Sequence, residues 1–181
     1  MPPRQARPLP SILLMTDERM GEALWPALEC LPRGAGVVFR HYGLPPPERR
    51  MLYELVRRIA RRRRLVLILA ASPQRAAAWK ADGVHGRSRR HASRPLLRSA
   101  PAHDRRELLA ARHADLVLVS PVFPTRSHPG AATLGPVRLG LMLGEDRRRI
   151  VALGGVTRRH GRSLRNLGIA RWAAIDGLTR S

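Results

Sequence analysis

Cysteine is almost absent from this chain. Cys30 is the only one in 181 residues, so no disulfide can close within the chain and no thiolate cage for zinc can be built. Lysine is equally scarce, with Lys80 standing alone in a basic total of 34 and a formal net charge of +21. Charge of that size ordinarily argues for nucleic acid or another anionic surface. Here the arginine-for-lysine bias is what a GC-rich coding sequence produces, and the arginines are scattered through the helical segments as well as clustered at Arg61 to Arg64. Aromatic residues, at 4%, are too few to supply the stacking platforms of a single-strand binder. A solvated basic face is therefore expected rather than a nucleic-acid partner. No apolar run approaches the roughly 18 residues of a membrane helix, and no charged-then-apolar leader precedes Ser11, so the cytoplasm is the default expectation.

What remains is enough for one core. With 44% hydrophobic residues, the chain reads as a single domain over residues 11–181 behind a disordered, Pro- and Arg-rich lead-in at 1–10. Short apolar runs alternate with helical patterns. Ile12 to Met15, Gly36 to Arg40, Leu65 to Leu69, Val84-His85, Pro95 to Arg98, Leu116 to Val119, Ile150 to Leu153 and Arg171 to Ile175 read as strands. The helix opened by Pro45 to Pro47 has Leu52, Leu55, Val56 and Ile59 as its apolar face. Ser72-Pro73 is an N-cap and first-turn pair for an Ala-rich helix, and further helices fall near Asp104 to Arg112, Val137 to Leu143 and His160 to Asn166. This rhythm predicts a parallel sheet with right-handed crossovers, either open and doubly wound or closed into a barrel.

One stretch carries the most information, Ala114-Asp-Leu-Val-Leu-Val-Ser-Pro-Val-Phe-Pro-Thr-Arg-Ser-His-Pro-Gly130. A strand apolar on both faces, as a helix-covered parallel strand requires, runs into a loop stiffened by Pro121, Pro124 and Pro129. The stretch resembles the loop A-D-Y-V-x-x-G-P-V-F-P-T-x-T-K-x-G of the thiamine phosphate synthase/TenI family, with His128 in place of the Lys. Ala81 to Gly86 is similar to that family's A-D-G-V-H-L-G turn, and Ala152 to Val156 to its A-I-G-G-I. With weaker agreement at Leu13 to Asp17 and Val38 to Arg40, the resemblance covers about residues 11 to 178. It implies a compact (β/α)8 TIM barrel, which at this length must have short loops or a trimmed element, since such barrels usually need about 200 residues or more.

The resemblance also implies a reaction, the joining of hydroxymethylpyrimidine pyrophosphate to a thiazole phosphate with loss of pyrophosphate in thiamine biosynthesis. In such a barrel the acting groups sit at the C-terminal ends of the strands, which nominates Arg40, His85, His103, Thr125, Ser127, His128, Gly154, Gly155 and Ile175. Gly154 and Gly155 allow backbone N–H groups to approach a phosphate without an intervening Cβ, and Thr125, Ser127 and Ile175 complete that side. Arg40, with His128 and Arg87, is expected to steady the departing pyrophosphate. Magnesium is expected for the family and asks for hard oxygen ligands. Its Asn-Asp after the third strand falls on Ala70 and Ala71, and its second Asp falls in Arg87 to Arg90, so those carboxylates are missing. Either arginines have taken over from the metal, or metal-dependent synthesis has been lost. His103 matches the family's S-x-H turn and suggests a second activity, a TenI-like thiazole tautomerase with His103 as acid or base. With Asp104 and Glu107 so close, His103 could equally be a surface pair or cap. A third reading keeps the fold as a non-catalytic phosphate-ligand module. His85 is read as a structural hydrogen-bonder, and His91, His113 and His160 as solvent-facing. A homodimer is a family-level expectation, with Arg61 to Arg64 outside its interface.

Overall fold

In a computed structural model of the chain, the described residues are 8–125, 130, 132–144, 147–175 and 178. Eight strands close into a parallel barrel in sequence order: β1 Ile12–Met15, β2 Gly36–Phe39, β3 Val66–Ala70, β4 Gly83–His85, β5 Leu97–Ala102, β6 Leu116–Val119, β7 Ile150–Ala152 and β8 Arg171–Ala174. The ring is completed by β1 against β8, with Leu13 beside Ala173. Outside it lie α1 Leu24–Cys30, α2 Pro46–Arg63, α3 Pro73–Ala78, α4 Arg105–Ala110, α5 Gly135–Met142 and α6 Gly161–Asn166. No described helix is long and apolar enough to cross a membrane.

Strand alternation splits the core into an inner plug and an outer shell. Leu13, Met15, Val38, Ile68, Leu116, Leu118, Val151 and Ala173 fill the barrel. Leu14, Val37, Phe39, Leu67 and Leu69 point outward against α1 and α2, and Val117, Val119, Ile150 and Ala152 do so on the far side, among Leu139 and Leu164 of α5 and α6. The filled interior means that chemistry is confined to the mouth.

The trimmed element anticipated from the short chain is the β4–β5 crossover. Residues 86–96 carry no helix, whereas the other crossovers each contain one. The fifth strand lies later than expected, at Leu97–Ala102 rather than Pro95 to Arg98, because pairing with β4 and β6 fixes it through Gly83–Leu97 and Ser99–Leu116. On α2 the buried face is Arg49, Tyr53, Val56 and Ala60, while Leu55, expected in the core, is 44% exposed. Residues 1–7 of the lead-in lie outside the described residues, but its end is packed: Pro10 is buried and Leu9 joins the interior cluster. Arg61, Arg62 and Arg64 are exposed, as a solvated run requires.

Candidate active site

At the mouth of the barrel, β1 ends on Thr16-Asp17 and β2 on Arg40-His41, and the two ends are laced together. Arg40 donates from Nε to the Thr16 carbonyl at 2.8 Å and from Nη2 to Asp17 Oδ2 at 2.8 Å, and its backbone N–H reaches Thr16 Oγ1 at 3.1 Å. Arg19 takes the other side of the carboxylate, with Nε 2.7 Å from Asp17 Oδ1. The Arg19 hydrogen bond, reinforced by the Arg40 charge, holds the Asp17 carboxyl below the usual carboxylate range. Arg40 and Arg19 thus share one carboxylate, with Glu18 alongside bonded to the Gly43 N–H, and the guanidinium donors gathered at the ends of β1 and β2 suit an anionic ligand.

Beneath it lies a cation that the sequence reading did not single out. Arg49 is 7% exposed, and its guanidinium donates to the carbonyls of Arg40, at 2.7 and 3.0 Å, and of Ala70, at 2.9 Å. It therefore pins the C-terminal ends of β2 and β3, between the rings of Phe39, Tyr42 and Trp79 at 5.6–5.8 Å. The signal was its spacing. Arg49 stands four residues before Tyr53 and seven before Val56, on the face that turns inward.

His85 and Ser99 meet on the next two strands, Nδ1 to Oγ at 3.0 Å. Burial pushes the His85 pKa down to about 4, so the ring is neutral at physiological pH. This matches the structural role expected of it. His41, 4% exposed and so more deeply buried than the half-buried His85, bonds Thr16 Oγ1 at 3.0 Å and stacks on Phe39 at 4.8 Å, and burial lowers its pKa as well.

On the opposite side, the loop after β6 zips onto the turn after β7. Val122 N–H donates to the Leu153 carbonyl at 2.9 Å and Phe123 N–H to Gly154 at 3.0 Å. Both glycines are in the left-handed region, at φ 87° and 62°. A Cβ on Gly154 would lie 2.8 Å from Pro121 Cα, and one on Gly155 only 2.2 Å from the Pro124 carbonyl oxygen. Close backbone packing thus demands both glycines, and among the described residues their amide N–H groups donate to no backbone carbonyl. His160 is not solvent-facing as expected. It stacks on Phe123 with centroids 3.9 Å apart and accepts from the Thr157 N–H at 3.1 Å, fixing the same loop from the other side. Thr125 is half-buried on this loop and Ile175 half-buried at the end of β8. Ser127 and His128, and Asp176 after Ile175, lie outside the described residues.

His103 and Arg87 sit together at the rim. His103 Nδ1 is 2.8 Å from Glu107 Oε2, and Arg87 Nη2 is 2.5 Å from Glu107 Oε1. The His103 hydrogen bond is the main reason that the Glu107 carboxyl lies below its ordinary range. His103 is thus the partner in a surface pair, with Asp104 capping α4 through the Glu107 N–H at 2.7 Å. Arg87, bound to the same carboxylate, is drawn towards α4 rather than towards Arg40.

The donor set does not fit magnesium. Ala70 and Ala71 offer no side-chain oxygen at the end of β3, and both oxygens of Asp17 are engaged by arginines. Among the described residues no group of three His, Cys, Asp or Glu could hold a metal ion.

Residues 13–178 match the model of a family described as thiamine monophosphate synthase. Among solved structures, thiamine phosphate pyrophosphorylase from Pyrococcus furiosus superposes with a TM-score of 0.71 at 22% identity, over 92% of this chain and 85% of that one. The thiamine phosphate pyrophosphorylase of Bacteroides thetaiotaomicron gives 0.61 at 17% identity, over 93% and 84%. A citrate synthase gives 0.61 at 8% identity, over 93% and 87%. These likenesses are of fold. No curated protein matches the sequence.

Proposed function

The chain belongs to the thiamine monophosphate synthase family, and from that premise we propose that it joins a pyrimidine methyl pyrophosphate to a thiazole phosphate with release of pyrophosphate. The observation that carries this reading is Arg40, whose guanidinium is held at the end of β2 by the Thr16 carbonyl and the Asp17 carboxylate. As the C–O bond to pyrophosphate breaks, negative charge grows on the leaving group and positive charge on the pyrimidine methylene. The thiazole nitrogen then forms the C–N bond. Arg40 retains donors beyond the two committed to Thr16 and Asp17, and these can meet the leaving oxygens as charge develops. Asp17 keeps the guanidinium aimed, and Arg49 anchors the backbone that carries it. Across the mouth, the amide N–H groups of Gly154 and Gly155, with Thr125, suit the thiazole phosphate, and Ser127, two residues on in the sequence, is proposed to add its hydroxyl. His128, further along the sequence after β6, supplies a positive charge when protonated. Because the donor set does not fit magnesium, no step in this reading passes through a metal.

The rim supports a second reading. Glu107 orients the His103 ring through Nδ1 and leaves Nε2 for proton transfer, as a thiazole tautomerase needs. The two separate on Arg40→Met. Under the first reading it lowers thiamine phosphate formation by about a hundredfold, the scale of a lost transition-state donor. Under the second it leaves thiazole isomerisation intact, and His103→Ala abolishes that instead.

A further inference from the structure

The missing β4–β5 helix leaves a slot on the flank of the barrel, outside the sheet and reaching the rim at Arg87 and Glu107, and we infer that this slot binds a small organic anion with a flat apolar body. The slot is a cavity of about 340 Å³ between residues 86–89 of the crossover and α4, within the size range of small-molecule sites. Val84 and Ala100 from the strands, with Ala110, Ala111 and Ala114 from α4 and the turn after it, contribute to its lining. Side chains this small leave a shallow, even surface that suits a ring better than a branched chain. Polar groups lie around it: Arg87, Arg89, Arg98 and Arg106 also line the cavity.

The charges do not cancel. Four guanidinium groups face two carboxylates in the lining: Glu107 is shared by His103 and Arg87, while Asp104, bonded only to the neutral Glu107 N–H, keeps its charge and offsets one arginine. Arg98 is spent on neutral carbonyls, those of Ser88 at 3.0 Å and Arg90 at 2.6 Å, so its charge persists while it pins the crossover in place. Among the described residues Arg89 and Arg106 have no carboxylate partner. An apolar floor beneath uncompensated guanidinium groups is complementary to a carboxylate, sulfonate or phosphate on an aromatic body. A second copy of the chain is a poor occupant, since each carries +21.

Anilinonaphthalene sulfonate has this chemistry and serves as the probe. The account expects saturable fluorescence enhancement with the native protein, amide shifts at Val84, Ala100 and Ala110 in heteronuclear NMR, and no displacement by inorganic pyrophosphate, which belongs at the mouth. Ala110→Trp fills the slot from an exposed helical position and should abolish binding. Arg89→Glu with Arg106→Glu, at solvent-facing positions, should weaken it about tenfold, the scale of two reversed exposed charges. Four results overturn the inference: no saturable binding, binding indifferent to both variants, shifts at Gly154 and Gly155 in place of Val84, or sedimentation showing the slot closed by a second copy.

Discussion

Substituting Gly155 by alanine tests how the phosphate side of the mouth is built. The new Cβ would lie 2.2 Å from the Pro124 carbonyl oxygen and 2.8 Å from that of Phe123. Ordinary contact needs about an ångström more, and close-packed surroundings give way by moving backbone. The residue must also keep φ near 62°, which costs an L-residue about 1–2 kcal/mol. Overpacking adds about 1–3 kcal/mol, and the stiffer unfolded chain returns about 0.4–1 kcal/mol. The expected loss is about 1–4.5 kcal/mol, centred near 3, or roughly 5–12 °C in Tm at that centre for a domain of this size. Differential scanning calorimetry, with urea unfolding at constant m, reads it. Gly144→Ala is the control, because its Cβ would meet nothing within 4 Å, and it should stay within about 0.5 kcal/mol of the parent. A Gly155→Ala protein as stable as the control would refute the packing argument. The glycine pair would then be explained by ligand approach alone.

Two further predictions follow from buried groups. Arg49→Met strips the carbonyls of Arg40 and Ala70 of a charged donor and should cost about 2–3 kcal/mol in urea unfolding; an unchanged midpoint would mean that Arg49 does not hold the two strand ends. For His85 the folded pKa, about 4, lies below the ordinary value of 6.5. The neutral ring is favoured by the fold, so its contribution is complete above about pH 6.5 and is lost as the pH falls towards 4. Between pH 7 and 4.5 the native protein should lose about 2 kcal/mol through this group, with His41 acting in the same direction. His85→Asn should flatten the stability profile in that window, and a profile of unchanged slope would contradict the buried, neutral assignment.

The barrel was legible because parallel strands announce themselves. Leu67 to Leu69 and Leu116 to Val119 are apolar on both faces, and both are buried on both faces in the closed sheet. The fifth strand was misread because its sequence, Leu-Arg-Ser-Ala-Pro-Ala, lacks that signature and its position is set by partners rather than propensity. Of the candidate site, Arg40 and the glycine pair were visible as residues at the ends of strands. Arg49 and His160 were not, since a buried arginine looks like any other in an arginine-rich helix, and a histidine stacking on Phe123 requires two loops to be brought together in space. The pairing of His103 with Glu107 was foreseen as one of two readings, because Asp104 and Glu107 follow it closely in the sequence, at the start of the helix that Asp104 caps.

The most direct test is pyrophosphate release by the purified protein given the pyrimidine pyrophosphate and the thiazole phosphate together, first with magnesium and then with EDTA. The account predicts release matched by thiamine phosphate, sustained within a few-fold in EDTA and lost in Arg40→Met. Absence of release from folded protein, or release that vanishes with the metal, would contradict it.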